Sequence, residues 1–299
     1  MYNQIAANKR KTWFLLIVVV VLIIGLSAVF GLATDIDPGV TILGGTVVAT
    51  IHALVSYFLG DKIALKTNGA KIIQKTDSPE LWNLVENLCI SNGQPMPKIY
   101  IIQDESPNAF ATGRDPARAS IAFTTGILKL LDKQELQGVA AHELSHVKNY
   151  DIRVMTIVVV LVGAVMLLSD IMLRSLGRMN RTNNRNGGQA ALVLMLIGVV
   201  LAILSPLFAK LIQMSISRSR EYLADASGAL LTRYPEGLAR ALEKISATAQ
   251  PLQKTNHATA HLFIANPYGK HQRRTALANL FSTHPPIEER INKLRGMGA

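Results

Sequence analysis

Residues 132–146 have the sequence DKQELQGVAAHELSH, and the predicted fold is built outward from them. Asp132 followed three positions later by Glu135 is a capping-box pattern, which predicts that a helix begins here. An apolar block begins shortly afterwards, at Val154. We therefore expect the helix to run from a polar domain toward a membrane segment.

The end of this stretch places two histidines and a glutamate at metal-site spacing. His142 and His146 lie four positions apart, so on a helix both imidazoles share one face and can bind a single zinc ion. Glu143 lies beside them and can act as general base toward a zinc-bound water that attacks a carbonyl group. Short motifs of this kind also arise by chance, so the motif alone leaves a structural role open.

A second acidic pair supplies a further ligand. Glu221 and Asp225 are again four positions apart, on a predicted helix that follows the last apolar block. Glu221 would complete a His-His-Glu set with an open position for water, the ligand count of a catalytic zinc site. Asp225 would accept the ring N–H of one zinc histidine. The alternative is a solvated ion-pair face with Arg218, which is the better explanation only if this segment is considered alone.

The composition indicates a membrane protein. Of the 299 residues, 49% are hydrophobic and 17% are charged, and the mean hydropathy is positive. Three apolar blocks are long enough to cross the hydrocarbon core of a bilayer, where charged side chains are costly, and a shorter fourth block begins at Val154. We predict transmembrane helices at residues 12–34, 38–60, 154–173 and 187–209. A cleaved signal peptide explains the first block less well, because the block is too long and a second one follows closely.

The polar parts of the chain, residues 61–152 and 215–299, flank the second pair of apolar blocks and are predicted to form the catalytic part. Short strands that would form a small sheet before the zinc helix are predicted at Lys98 to Ile102, Asn108 to Thr112 and Ser120 to Phe123. If the second pair of blocks forms a helical hairpin, its open ends bring Glu221 to the two histidines. The metal would then lie where the hairpin meets the polar domain, at the membrane surface.

Charge and cysteine content exclude other classes of site. The net charge is +11, but many of the basic residues flank apolar blocks, where they mark orientation and lipid headgroups and not a nucleic-acid partner. The single Cys89 excludes an internal disulfide and a cysteine-based zinc site. His257 and His261 are also four positions apart, but no acidic residue stands where a general base is needed. We predict that these two histidines are structural or lie at the surface.

Several segments carry a family resemblance, namely Pro107 to Gly113, Ala141 to His146, Ser217 to Asp225, and Ser282 to Pro286 followed by Arg290. In these segments the chain resembles the HtpX group of bacterial heat-shock membrane proteases. That group belongs to the gluzincin family, which also contains the CAAX prenyl proteases. The resemblance covers essentially the whole chain, including the positions of the four apolar blocks.

This resemblance implies a mainly α membrane protein with a gluzincin-type metalloprotease domain, a small β-sheet, about four transmembrane helices and one zinc ion per chain. It also implies that substrate peptide is laid by strand addition on an edge strand at Asn108, Ala109 and Phe110. His284 resembles a residue near the active site that could stabilise the oxyanion. The implied location is the bacterial cell membrane, with the active site facing the cytoplasm. The implied role is quality control of misfolded membrane and cytoplasmic proteins under stress, together with self-cleavage.

Two alternatives and one conflict accompany this interpretation. A protease that cuts within the bilayer would bury its motif in an apolar segment, whereas polar residues surround this motif. A non-enzymatic metal-binding or chaperone-like membrane protein would keep the ligands without needing Glu143. A full third crossing would also place the arginines between Arg174 and Arg185 outside the cell, against the positive-inside rule. The second hairpin is therefore predicted either to follow the orientation of the first pair or to dip without fully crossing.

Overall fold

In the computed structural model, the structure describes residues 2–34, 36–163, 218–248, 251–252, 259–265 and 285–298. These residues are mainly helical and include a small mixed sheet. The predicted fourth membrane segment and the later part of the third lie outside the described residues, as do His257 and His284.

Two long N-terminal helices pack against each other: α1 spans Tyr2–Thr34 and α2 spans Pro38–Thr67. Asp37 accepts hydrogen bonds from the first backbone amides of α2, and Pro38 at its first position fixes the helical φ. Both helices expose large apolar side chains. By length and composition, Ile5–Ala28 and Pro38–Thr67 could each cross a membrane. The described residues thus hold two such helices, where the sequence predicts about four in the whole chain.

The sheet contains four strands in the order β1-β2-β4-β3. Its strands are β1 at Lys71–Ile72, β2 at Lys98–Ile102, β3 at Ala109–Gly113 and β4 at Ala119–Thr124. β2 pairs in parallel with β4, while the other two pairings are antiparallel. The predicted strands are confirmed to within about one residue. β3 is consequently an edge strand of this sheet, and it lies against the helix that carries the zinc motif.

The remaining helices pack around the sheet. The predicted capping box is confirmed at the start of the motif helix, because the backbone N–H groups of Asp132 and Glu135 each donate to the other residue's side chain. The helices are α3 at Pro79–Asn92, α4 at Thr125–Leu130, α5 at Lys133–Lys148, α6 over residues 151–163, α7 at Arg218–Thr232, α8 at Pro235–Ala247 and α9 at Ile287–Gly296. Short 3-10 turns occur at Pro116–Arg118 and Ala260–Leu262.

Helix α5 lies at the centre of the polar domain. Every residue from Gly138 to Val147 is buried, because the sheet, α3, α7 and α8 pack around it. A helix that is buried on all sides has little freedom to shift, since protein interiors are closely packed. The side chains of α5 are therefore presented from a rigid support.

Helix α6 follows α5 after a short turn and packs against the apolar N-terminal helices. Its side chains Val154, Ile157 and Leu161 form a buried cluster with Leu15 and Val19 of α1. Helix α1 therefore packs on the helix that follows the motif helix.

Candidate metal centre

Three side chains predicted as metal ligands converge in the structure. Nε2 of His142 lies 3.2 Å from Nε2 of His146. In Glu221 on α7, Oε2 lies 3.8 Å from the first of these atoms and Oε1 lies 3.5 Å from the second. All three side chains are buried, and their donor atoms lie within 4.8 Å of one another.

These distances fit a small divalent cation. Two ligand atoms that each lie about 2.0–2.1 Å from a tetrahedral ion are separated by about 3.4 Å, and the observed separations of 3.2, 3.5 and 3.8 Å bracket that value. Two imidazoles and one carboxylate make a donor set that suits zinc and leaves one tetrahedral position for water or substrate. The residues present therefore fit the metal that the motif predicts.

Asp225 lies behind the first histidine, as the sequence predicts. Its Oδ1 is 2.9 Å from Nδ1 of His142. A carboxylate at this atom fixes the tautomer in which Nε2 carries the free lone pair, and it orients the ring toward the metal position. Asp225 comes one turn after Glu221 on α7, so one helix supplies both a ligand and the partner of another ligand.

A fully buried arginine holds Asp225 in turn. Nε and Nη2 of Arg290 on α9 donate to the two oxygens of Asp225 at 2.8 and 2.7 Å, and its Nη1 lies 3.7 Å from Glu221. Burial alone would raise the pKa of Asp225, but Arg290 outweighs it and lowers that pKa to about 2. Asp225 is therefore an anion at neutral pH. The sequence shows Arg290 only as part of a matching segment, because nothing local links it to Asp225.

The second histidine has a carboxylate partner that sequence analysis did not single out. Nδ1 of His146 lies 3.2 Å from Oδ2 of Asp151, which begins α6 directly after the motif helix. Burial opposes ionisation of His146, but the hydrogen bond with Asp151 and the charge of Glu221 outweigh it and raise the pKa of His146 to about 9. A cation bound at Nε2 would therefore displace a proton. In the sequence, the only indication of this partner is that polar residues follow His146.

Glu143 is completely enclosed beside the metal-binding group. Burial raises its pKa to about 7, with His146 opposing and Glu221 adding to the shift, and the backbone N–H of Ala111 in β3 donates to it. A carboxylate whose pKa lies near neutrality suits general base catalysis, because it can both take and return a proton. The edge strand β3 therefore touches the predicted general base through its backbone.

The residues predicted to bind substrate lie at the start of this edge strand, in a tightly bonded setting. Asn108 is buried, and its side chain bonds both the carbonyl and the N–H of Ala265. The carbonyl of Ala109 accepts from Ile264. Phe110 is buried, with its ring 5.1 Å from that of Phe263. Residues 263–265 of the same chain thus cover this part of the β3 edge.

Of the two histidines His257 and His261, the structure describes His261, which is buried and is not part of the metal-binding group. Its Nε2 lies 3.0 Å from the carbonyl oxygen of Met155 on α6. His261 is therefore structural, in agreement with the prediction. His284, predicted to stabilise the oxyanion, lies outside the described residues and its role stays a prediction.

Comparisons with known proteins identify the family of this chain. Residues 75–298 match Peptidase family M48. A "Protease HtpX homolog" of Tropheryma whipplei (strain Twist) is 47% identical over 298 residues, covering 100% of this chain and 99% of the relative. Proteins of the same name from Dictyoglomus thermophilum and Streptococcus gordonii are 44% and 41% identical, each over 99% of this chain and over 95% and 100% of the relative, respectively.

Among solved structures, the crystal structure of S. mikatae Ste24p aligns with 98% of this chain and 67% of its own chain, with a TM-score of 0.49 and 19% identity.

The family match extends over most of the chain and includes every residue of the metal-binding group. Its relatives are similar over nearly its full length. This chain is therefore a metalloprotease that belongs to peptidase family M48.

Proposed function

We propose that the chain is a membrane-bound zinc-dependent endopeptidase with one zinc ion per chain and Glu143 as general base. The observation that carries the proposal is the convergence of His142, His146 and Glu221, with the buried carboxylate of Glu143 beside them. Each histidine also has a carboxylate at its other ring nitrogen, which is the arrangement that orients imidazole ligands.

When bound by these side chains, zinc supplies Lewis acidity, because it polarises a peptide carbonyl and lowers the pKa of water toward 7. Glu143 accepts the proton of the attacking water and returns it to the departing amine. The Ala111 N–H keeps the Glu143 carboxylate oriented. Its near-neutral pKa allows the carboxylate both to accept a proton and to release it. Asp225 and Asp151 hold the two imidazoles in place throughout. His284 is proposed to stabilise the oxyanion.

The substrate is proposed to be an extended peptide that pairs with the edge of β3. Strand addition gives main-chain hydrogen bonds that do not depend on the substrate sequence, and this suits a protease of misfolded proteins. Ile264 already bonds the carbonyl of Ala109, and the Ala111 N–H already donates to Glu143, so the proposed pairing uses the carbonyl of Ala111. Asn108 and Phe110 then hold β3 in position through their buried contacts with Ala265 and Phe263.

The proposed location is the bacterial cell membrane, with the catalytic part facing the cytoplasm and more than one crossing. Two helices long and apolar enough to span a bilayer support the membrane location, as do large apolar side chains exposed along both. Misfolded or damaged membrane and cytoplasmic proteins, and the chain itself, are the proposed substrates. Labelling an Asn184→Cys variant from each side of the membrane tests orientation. Labelling from the cytoplasmic side alone would rule out a full third crossing.

A variant of the general base tests the mechanism. Glu143→Gln should still bind one zinc ion but lose at least about 100-fold in the cleavage rate of a loosely folded protein, the lower end of what general base catalysis contributes. The matched control is Glu105→Gln, at an exposed glutamate paired with Lys129, which should cleave normally. Chelation should stop the parent enzyme and zinc should restore it.

The same assay separates this proposal from that of a non-enzymatic metal-binding protein. A parent chain that holds zinc and cleaves nothing would favour that alternative. Normal cleavage by the Glu143→Gln variant would show that the assigned general base is wrong, and undiminished cleavage by metal-free protein would rule out zinc catalysis.

A further inference from the structure

The first membrane helix reaches the metal centre through one buried polar side chain. Asn8 in α1 is completely buried, although it lies next to the basic residues that precede the apolar part of the helix. Its Nδ2 donates to Oδ1 of Asp151 at 2.7 Å. The other oxygen of that carboxylate, Oδ2, lies 3.2 Å from Nδ1 of His146. One continuous series of polar contacts therefore runs from α1 to a metal-binding imidazole.

The orientation of the Asn8 amide is fixed by its partners. Nδ2 also donates to the backbone carbonyl of Asn149 at 2.8 Å, so both of its hydrogens meet oxygen atoms. The reversed amide would place its own oxygen against a carbonyl and a carboxylate, with no hydrogen between them. Asn8 thus bonds two points of the segment that joins α5 to α6.

That joining segment needs support because its backbone is unusual. Tyr150, between the two residues that Asn8 binds, has a φ of 60°, in the left-handed region that residues with a side chain rarely adopt. Its ring also lies under the ammonium group of Lys9, 4.9 Å from the ring centroid. Neighbouring residues of α1 therefore hold both ends and the middle of this turn.

If one oxygen of the Asp151 carboxylate is to orient the His146 ring, its other oxygen has to be held in place. Arg220 contributes on the same side as Asn8, with Nη1 3.6 Å from Oδ1 of Asp151. The shorter contact is the one from Asn8, at 2.7 Å. With Oδ1 held, Oδ2 is directed at His146, whose Nε2 faces the metal position.

We propose that Asn8 is a positioning residue of the metal centre: the N-terminal membrane helix holds Asp151 and, through it, His146. This inference rests on the proposed zinc site. It makes α1 part of the catalytic apparatus as well as a membrane segment. The metal affinity of the polar domain then depends on the correct docking of α1.

A double-mutant cycle on zinc affinity tests this proposal. The full-length chain is purified in detergent as the Glu143→Gln form, which prevents self-cleavage, and zinc affinity is measured by competition with a chromophoric chelator. Loss of an outer-shell partner of a metal ligand costs about 10–100-fold in affinity. We expect Asp151→Ala to fall in that range and Asn8→Ala to weaken binding about tenfold. Because both act through one path, the double variant should bind nearly as well as Asp151→Ala alone.

A matched control lies one turn further along the same helix. Thr12 is also buried and its hydroxyl donates to the Asn8 carbonyl within the helix, so Thr12→Ala removes a buried hydrogen bond of α1 without touching the turn. Its zinc affinity should stay within about twofold of the parent, as expected for a residue outside the metal's outer shell. As a second readout, the visible spectrum of the cobalt-substituted chain should change with Asn8→Ala and not with Thr12→Ala.

The outcomes separate this proposal from the one it rests on. A parent chain that binds no zinc would overturn both. If the parent binds zinc and Asn8→Ala binds it equally well, only the role of Asn8 is wrong. The same holds if Asn8→Ala and Asp151→Ala weaken binding additively, since Asn8 would then act independently of Asp151. Asn8→Asp keeps the size of the side chain but faces Asp151 with a like charge, so it should bind zinc no better than Asn8→Ala.

Discussion

The guanidinium group of Arg290 donates to both oxygens of Asp225, at 2.8 and 2.7 Å, although the two residues are 65 positions apart in the chain. Both side chains are buried. A planar guanidinium matches a carboxylate in this two-point geometry, whereas a lysine ammonium cannot. The pair joins α9 to the helix that carries Glu221.

Removing Arg290 should destabilise the fold and the metal centre together. Arg290→Ala leaves Asp225 as a buried anion without its charge partner, and breaking a buried pair in this way costs about 3–5 kcal/mol. We expect that loss in the free energy of unfolding measured by denaturant titration in detergent, and weaker zinc binding as well. Arg290→Lys should recover little, because it cannot make both contacts. Arg295, an exposed arginine on the same helix, is the control, and a loss at Arg295→Ala equal to that at Arg290→Ala would contradict the prediction.

Gly228 sets the distance between α5 and α7. A Cβ at this position would lie 3.0 Å from the backbone nitrogen of His142, a tighter contact than most Cβ atoms make, so the two helices would have to move apart slightly. Gly228→Ala should therefore push α7, and Glu221 with it, away from the histidines, at a cost of about 1–3 kcal/mol and with weaker zinc binding. Gly296→Ala is the control, because a Cβ there meets nothing within 4 Å. Unchanged zinc affinity in Gly228→Ala would show that the helices can adjust.

His261 should have no part in metal binding. Its Nε2 lies 3.0 Å from the Met155 carbonyl, so His261→Ala removes a structural contact. Metal analysis of the purified variant should still find one zinc ion per chain, while His146→Ala should find none. A drop in zinc content at His261→Ala that exceeds the loss of folded protein would refute the structural role.

Cys89 provides a single internal probe of folding. Burial raises the pKa of its thiol to about 11, so at pH 8 the reactive thiolate is scarce in the folded protein. A thiol reagent should therefore label the native chain slowly at pH 8, and faster as the pH approaches 11 while the fold persists. Denaturant should give rapid labelling at pH 8, and Cys89→Ser should give none. Rapid labelling of the native chain would show that α3 opens readily.

Much of this site could be predicted from the sequence because its signals are local. The spacing of His142 and His146 on a capped helix, and of Glu221 and Asp225 on another, follows from helical periodicity alone. The strands before the motif and the apolar α1 and α2 were predictable for similar reasons. The predicted fourth membrane segment and the later part of the third stay predictions, since they lie outside the described residues.

The roles of Asn8 and Arg290 could not be predicted, because the carboxylates that they bind lie in distant parts of the chain. Asn8 and Asp151 are 143 positions apart, and neither belongs to a periodic pattern that points to the other. Arg290 resembled a family residue, but its contact with Asp225 depends on how α9 packs. The edge of β3 was predicted to be a substrate-binding strand, while the contact between Ile264 and Ala109 depends on a segment with no sequence signal for pairing.

The order of the site residues along the chain has a consequence for biosynthesis. Residues of α5 and α7 emerge from the ribosome before Arg290, so a growing chain holds the predicted ligands and the general base while Asp225 still lacks its partner. A protease that matured earlier could cut its own unfolded segments as they were being made. Because Asp225 needs Arg290 as its partner, we expect the centre to reach its described form only after α9 has been synthesised and docked, so that proteolysis begins once the fold is complete.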